Sequence, residues 1–366
     1  MKKNICLALS LVMLMGFSIP TYANTADSLV DSEIEVAIDS IVPDATEHLI
    51  LNAERYDIEG ELNDFYYGTP FYGYLYDEDT GDMELNKSII YYPLIINNSV
   101  ESILTIGKSE NGTLFCTVAK DFSDELNSHL QDNFICVGNG IDTYFVEEKQ
   151  NLAMNKSAQD FSEGIIVGEE LLVPSITKAE LETSQYDADD ITAYKIGPNG
   201  GTLTNFPIVK QSTSNTCASA CLLAVARYLH PSTFKSWSDE KIHKLQQSNV
   251  EVGLTMDQII ANIDYVLNDV GGDNFRIKKS GRLTASGIVK TLYEKQLPAF
   301  VGYANKDNNG HFVVLCGFSK SGSNYFSAEF MDPATGGYKY STARDIDFTI
   351  VWGNVSYTWK ETISIS

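Results

Sequence analysis

Basic side chains are scarce in this chain: 26 Lys and Arg stand against 49 Asp and Glu, a formal net charge of −23. Nucleic acid is bound by clustered cations that neutralise phosphates, so nucleic acid is excluded as a partner. Beyond the first two dozen residues no apolar run is long enough to span a bilayer, which takes about 20 residues. Cysteine is also sparse, 6 in 366 residues, too few to serve as a disulfide framework for a chain of this size. The five histidines form no ligand set. His230 and His243 are poorly matched with Asp239 or Cys221, and His48 and His129 stand alone, so no metal site is expected and no cofactor is implied.

What is present is enough apolar material for a real core, 43% hydrophobic and 11% aromatic, spread over a length that suits two domains. The first residues read as a cleaved export signal: two lysines, an apolar run from Ile5 to Ile19, then Thr21-Tyr22-Ala23 with small residues placed for a cut after Ala23. The mature protein is therefore expected to be secreted, extracellular or at the cell surface. Cys6 leaves with the signal, and Cys116, Cys136, Cys217, Cys221 and Cys316 remain. Cys116 with Cys136 and Cys221 with Cys316 are candidate pairs; free buried thiols are the alternative reading and the favoured one.

Charge divides the chain. Residues 24–199 carry 35 acidic and 8 basic side chains, and residues 200–366 carry 14 and 16. Two halves so unlike predict two domains with different tasks. The expected order is signal peptide (1–23), acidic leader (24–64), a β-rich domain with one short helix (65–150), a linker rich in Ser, Asp, Glu, Gly and Pro (151–203), and a second domain (204–366). In the first domain, tyrosine-rich strands alternate with turn signals, Asn111-Gly112 being the strongest. Exposed linkers are cut by proteases, so this order suggests a precursor whose first half shields the second.

The second half is organised around Gln211 to Pro231. Cys217 opens a helix that is apolar on nearly every face up to Leu229, capped by Ser214 or Asn215 and stopped at His230 by Pro231. A cysteine in a first helical turn sits by unpaired N–H groups and the positive end of the helix dipole, which favours the thiolate. Gln211, six residues upstream, carries an amide able to join the Cys217 N–H in an oxyanion hole. Helices follow, with capping boxes at Ser236 to Asp239 and Thr255 to Gln258 and a cap at Thr284. Period-two strands come next: Ala299 to Tyr303, His311 to Phe318, Tyr325 to Met331 and Tyr338 to Thr342. Helices then antiparallel sheet is an α+β arrangement. His311 begins a strand after a glycine-ended loop. Asp332 ends the hairpin partner, placed to accept the second imidazole N–H and fix its tautomer.

The order Gln, Cys, His, Asp, with Gly310-His311-Phe312-Val313-Val314 and Met331-Asp332-Pro333-Ala334-Thr335-Gly336, resembles the papain-like (clan CA) cysteine peptidases. It is closest in texture to the leader-cleaving peptidases of bacteriocin exporters. The two-part layout is similar to bacterial secreted proteases of the staphopain and streptopain kind, made as inactive precursors. The resemblance implies a papain-like fold from about residue 204, with Cys217 as nucleophile, His311 as general base then acid, Asp332 as orienting group and Gln211 in the oxyanion hole. It further implies a protein or peptide substrate and an intramolecular pro-domain as partner. Asp332-Pro333 stands where papain-type enzymes usually have asparagine, which favours the leader-peptidase-like branch. Three alternatives stay open: a cell-wall peptide amidase, a transglutaminase-like acyl transferase, and a non-catalytic exported binding or adhesion protein.

Overall fold

The computed structural model describes residues 65–147 and 197–366, apart from 78–79, 110–111, 131–133, 141, 321–324 and 345–346, together with positions 42, 45–46, 48–49 and 52–58. The expected signal peptide and nearly all of the expected linker lie outside the described residues, as do most of the expected leader and Asn111 of the Asn-Gly turn.

The fold is mixed α/β, one large sheet with few helices. The first half supplies β1 (Tyr66–Tyr67), β2 (Phe71–Tyr76), β3 (Met83–Ile96), β4 (Ser99–Lys108), β5 (Leu114–Ala119), α1 (Ser123–Leu126), β6 (Phe134–Gly138) and β7 (Thr143–Glu147). The second begins with β8 (Gly200–Thr202), α2 (Cys217–Leu229), α3 (Asp239–His243), α4 (Met256–Ile263), β9 (Ile277–Ser280) and α5 (Ala285–Val289). It continues with β10 (Ala299–Ala304), β11 (Gly310–Lys320), β12 (Tyr325–Asp332), β13 (Gly337–Arg344), β14 (Thr349–Trp352) and β15 (Val355–Ile365). The strands run side by side as β14-β15-β10-β11-β12-β13-β5-β4-β3-β2-β6-β7, with β1 on β3, β8 on β11 and β9 on β15. Every pairing is antiparallel but that of β2 with β6.

Local chemistry accounts for the individual elements. β3 and β4 are joined by Asn97-Asn98, with φ of 50° and 66°, the left-handed geometry of a two-residue hairpin turn that asparagine tolerates. α2 is buried from Cys217 to Ala226, as its apolar composition demands, and it packs on β11. The capping box at Thr255 and Gln258 forms as expected, and Thr284 caps α5. Two expected caps are corrected. Ser238, not Ser236, accepts from the Lys241 N–H at the start of α3. At α2 the cap position falls to Thr216, whose side chain makes no capping bond. β8 also falls inside the expected linker: Gly200 and Gly201 pair with β11. All five described cysteines are buried, and no disulfide joins any two of them.

The two halves share this sheet. β13 pairs with β5 from Lys339↔Ala119 to Ala343↔Phe115, so backbone hydrogen bonds cross from one half to the other. A second joint is the Gly353-Asn354 turn between β14 and β15, whose tip is inserted into the first half. There Tyr91 Oη donates to Asn354 Oδ1 at 2.6 Å, Asn86 Nδ2 donates to the Asn354 carbonyl at 2.8 Å, and Asn354 Nδ2 donates to the Tyr74 carbonyl at 3.2 Å. Gly73 and Gly138 line this socket because a β-carbon on either would collide with Asn354 or the Gly353 carbonyl. A third joint is Glu329 of β12, fully buried and met by Arg55 Nε at 2.6 Å, Tyr56 Oη at 3.3 Å and His48 Nε2 at 3.4 Å.

Candidate active site

Cys217 is placed by two sets of contacts. The loop before it is held by Asp239 in the first turn of α3, whose Oδ2 accepts from the Ser212 N–H at 2.7 Å and lies 2.8 Å from both Ser212 Oγ and Thr216 Oγ1. One turn into α2, the Cys221 thiol donates to the Phe312 carbonyl at 3.2 Å. That bond joins α2 to the start of β11, where the Cys217 sulfur meets the His311 imidazole.

His311 is completely buried. Its Nε2 lies 2.7 Å from Asp332 Oδ1, while its Nδ1 meets no nitrogen or oxygen partner. The nitrogen that is satisfied is therefore the one toward Asp332, and the other is left for Cys217. The same Asp332 oxygen accepts from the Ala334 N–H at 3.0 Å, and its second oxygen lies 3.5 Å from Lys339 Nζ. Trp352, at the end of β14, covers the imidazole with ring centroids 4.2 Å apart.

Electrostatics follow from these contacts. Burial alone raises a thiol's pKa, yet Cys217 is held below the ordinary thiol value by hydrogen bonding and charge from His311, helped by the Phe312 and Ala218 N–H groups. Burial would lower His311, but the Asp332 carboxylate and the Cys217 sulfur raise it to about 9. Asp332, despite burial, is driven well below the usual carboxylate range by His311 and Lys339. Cys221, one turn away and without such partners, is pushed well up by burial. The arrangement therefore shifts the pair toward thiolate and imidazolium, the form in which a thiol can act as a nucleophile with a proton donor beside it.

Gln211 is tied to the same region through its backbone: its N–H donates to the Pro333 carbonyl at 2.8 Å, joining the glutamine loop to the turn after Asp332. Its side-chain Oε1 is buried without a partner, so no structural hydrogen bond occupies that oxygen. With the oxyanion role that the resemblance implies, Gln211→Ala is expected to lower kcat roughly 100- to 1000-fold with a small change in KM. Steady-state kinetics on a chromogenic peptide checks this.

Of the residues singled out in the sequence, Cys217, His311 and Asp332 come together, with Gln211 anchored on the adjoining turn. Sequence reasoning missed Trp352, Asp239 and Lys339. Gly353-Asn354 between two β-prone runs was the available signal for the hairpin that carries Trp352. Asp239 read as an ordinary first-turn acid, and Lys339 as the polar alternate of a strand. Between the halves a groove of about 250 Å³ runs past Trp352, lined by Tyr91, Phe122 and Glu125 from the first half and Lys210 and Thr335 from the second. Among the described residues no helix is long and apolar enough to cross a membrane.

A cysteine nucleophile, a buried histidine and an orienting carboxylate are the parts of a cysteine-type peptidase. Residues 203–359 match the Peptidase_C39 like family, which supports a cysteine peptidase acting on a protein or peptide substrate. All four candidate residues lie within the matched stretch. No curated protein matches the chain.

Proposed function

We propose that the chain is a papain-like cysteine endopeptidase, exported behind a cleaved signal at residues 1–23 and made as a precursor. The observation that carries this reading is His311, bonded to Asp332 through Nε2 with its Nδ1 claimed by no nitrogen or oxygen, beside a Cys217 whose thiol is acidified. The Cys217 thiolate attacks the peptide carbonyl carbon. The carbonyl π electrons move to oxygen, which the Cys217 N–H and the Gln211 amide stabilise. As the C–N bond breaks, His311 delivers its proton to the leaving amine, giving a thioester. His311, now neutral, takes a proton from water as its oxygen attacks that thioester, and the thiolate leaves with the imidazolium restored.

Hydrolysis of casein by the chain cut within 151–203, lost after treatment with a thiol alkylator, tests this reading; no hydrolysis at any pH before or after the cut sinks it. Cleavage of peptidoglycan peptides instead of casein would move the assignment to the amidase alternative.

The pH dependence is fixed by the two shifts. Hydrolysis rises as pH climbs through the lowered thiol value of Cys217. It falls again as pH passes about 9, where His311 loses the proton that the leaving amine needs. A kcat/KM profile with its basic limb near pH 6.5, the ordinary histidine value, contradicts the Asp332-supported imidazolium.

In the precursor reading, residues 65–150 restrict access to the site and a cut within 151–203 relieves it while the halves stay paired through β5 and β13. The pairing of β5 with β13 and the groove past Trp352, lined from both halves, support that reading. Self-processing that stops in Cys217→Ala is its expected result; processing that persists assigns the cut to another protease.

A further inference from the structure

The acidic half contributes more to the site than its position at the groove. Lys339 of β13 is buried, 1% exposed, and its ammonium lies 2.8 Å from Asp121 Oδ1, 3.5 Å from Asp332 Oδ2 and 3.3 Å from the Val351 carbonyl. Asp121 belongs to the first half and Asp332 to the candidate catalytic set, so one buried cation links them. The sheet register brings this about: Lys339 pairs with Ala119, and Asp121 follows two residues later. Asp121 stands at φ 37°, a left-handed conformation that a non-glycine residue holds at a cost and that the ion pair with Lys339 helps to offset.

We propose that Asp121 is a positioning residue for the catalytic pair: by neutralising Lys339 it leaves the Asp332 carboxylate to His311, which makes the acidic half a working part of the enzyme. The proposal rests on the peptidase reading of the site. An ammonium with no second anion would draw on Asp332 alone, competing with His311 for the same carboxylate and repelling the imidazolium across it. The charges and titratable groups around this chain of contacts are few. Asp332 faces His311, Lys339, Tyr303 and Cys221; Asp121 faces Lys339, Tyr91 and Asp332; His311 faces Cys217 and Asp332. Lys339 and His311 are the cations, and Asp121, Asp332 and ionised Cys217 the anions. Removing one anion leaves an excess positive charge, so the imidazolium must release its proton at lower pH.

The test reads Cys217 itself. In the full chain, the rate of Cys217 alkylation by iodoacetamide is measured against pH, with the labelled peptide identified by mass spectrometry. In Asp121→Asn, the inflection marking loss of the imidazolium proton is expected at lower pH than in the wild type. In Asp121→Asn/Lys339→Gln, where the pair is again neutral, the inflection returns toward the wild-type position. A purely structural role for Asp121 gives no such charge-balanced return. Superimposable Asp121→Asn and wild-type profiles overturn the proposal, as does a double variant shifted as far as the single one.

If Asp121→Asn does not fold, a protease site introduced between residues 151 and 196 gives a second measurement. After cutting, the two pieces are expected to co-elute on gel filtration with the Cys217 profile of the intact chain. A 197–366 piece that elutes alone and keeps that profile overturns the proposal. Casein hydrolysis measured in parallel keeps the two readings apart. A cut chain whose Cys217 profile behaves as stated but which cleaves no peptide leaves the positioning role standing and removes the peptidase.

Discussion

Cys217→Ala is expected to reduce hydrolysis by roughly 10⁵- to 10⁶-fold, to a background that His311→Ala shares, and the double variant is expected to be no slower than either single one. Catalytic groups that act as a unit lose most of their effect together. The physical ground is the division of His311 between its two neighbours. With Nε2 held at 2.7 Å by Asp332, the ring is fixed in one orientation, and its only chemistry is toward Cys217. Once the sulfur is gone the imidazole has no thiol to deprotonate, and Gln211 has no oxyanion to meet. Asp332→Asn is expected to fall short of this, at roughly 10⁴-fold, because an amide in that place can stabilise the wrong tautomer while Cys217 and the oxyanion site survive. Single-turnover measurements on a peptide ester and a peptide amide separate the terms. If Cys217→Ala kept a hundredth of the wild-type rate, another nucleophile would be at work.

The second large effect concerns stability and lies at the seam between the halves. Arg55→Ala is expected to destabilise the fold by roughly 3 to 5 kcal/mol, the usual cost of leaving one member of a buried ion pair alone. Glu329 has no solvent exposure. Burial favours its neutral form, and it stays ionised below its ordinary pKa because Arg55 and His48 outweigh that penalty. Arg55 also lies over the Tyr338 ring at 3.8 Å, so truncation removes packing as well as charge. The sign of the pH dependence is specific. A carboxylate depressed in the folded state stabilises above its unfolded pKa and loses that contribution as pH falls. Without Arg55 the folded-state pKa of Glu329 rises, so the deficit of Arg55→Ala is greatest at neutral and alkaline pH and shrinks as pH falls through that raised pKa toward the depressed wild-type one. Arg55→Ala/Glu329→Gln is expected to recover much of the loss. Urea unfolding at pH 7 and pH 4 checks both statements; equal deficits at the two pH values contradict them.

Much of the second half was legible because its pattern is local. The strands expected from Ala299 to Thr342 sit within β10 to β13, extended by a few residues at their ends. The helix from Cys217 to Leu229 was legible from its apolar faces and the proline after His230. The placement of Cys217, His311 and Asp332 followed from where elements begin and end, which caps, loops and turns announce. The joining of the halves was not legible. Lys339 and Glu329 alternate with apolar neighbours as solvent-facing residues do, and nothing near them in sequence reveals that Asp121 or Arg55 will bury them. Edge pairing such as β13 with β5 leaves no local mark, since any exposed edge offers the same backbone groups. The charge step between the halves predicted separate tasks, and it gave no sign that both would be built on one sheet. Trp352 was missed for a related reason: its hairpin is held by a socket contributed by Gly73, Asn86, Tyr91 and Gly138, residues more than two hundred positions away.

Arg55 and Glu329 stand 274 positions apart, and contacts that span so much chain form late, after hairpins that close over a few residues. Synthesis from the N-terminus therefore yields the acidic strands first and the nucleophile-bearing helix well afterwards. A chain that stops short of β11 and β12 therefore has the Cys217 sulfur without the imidazole and carboxylate that draw its pKa down.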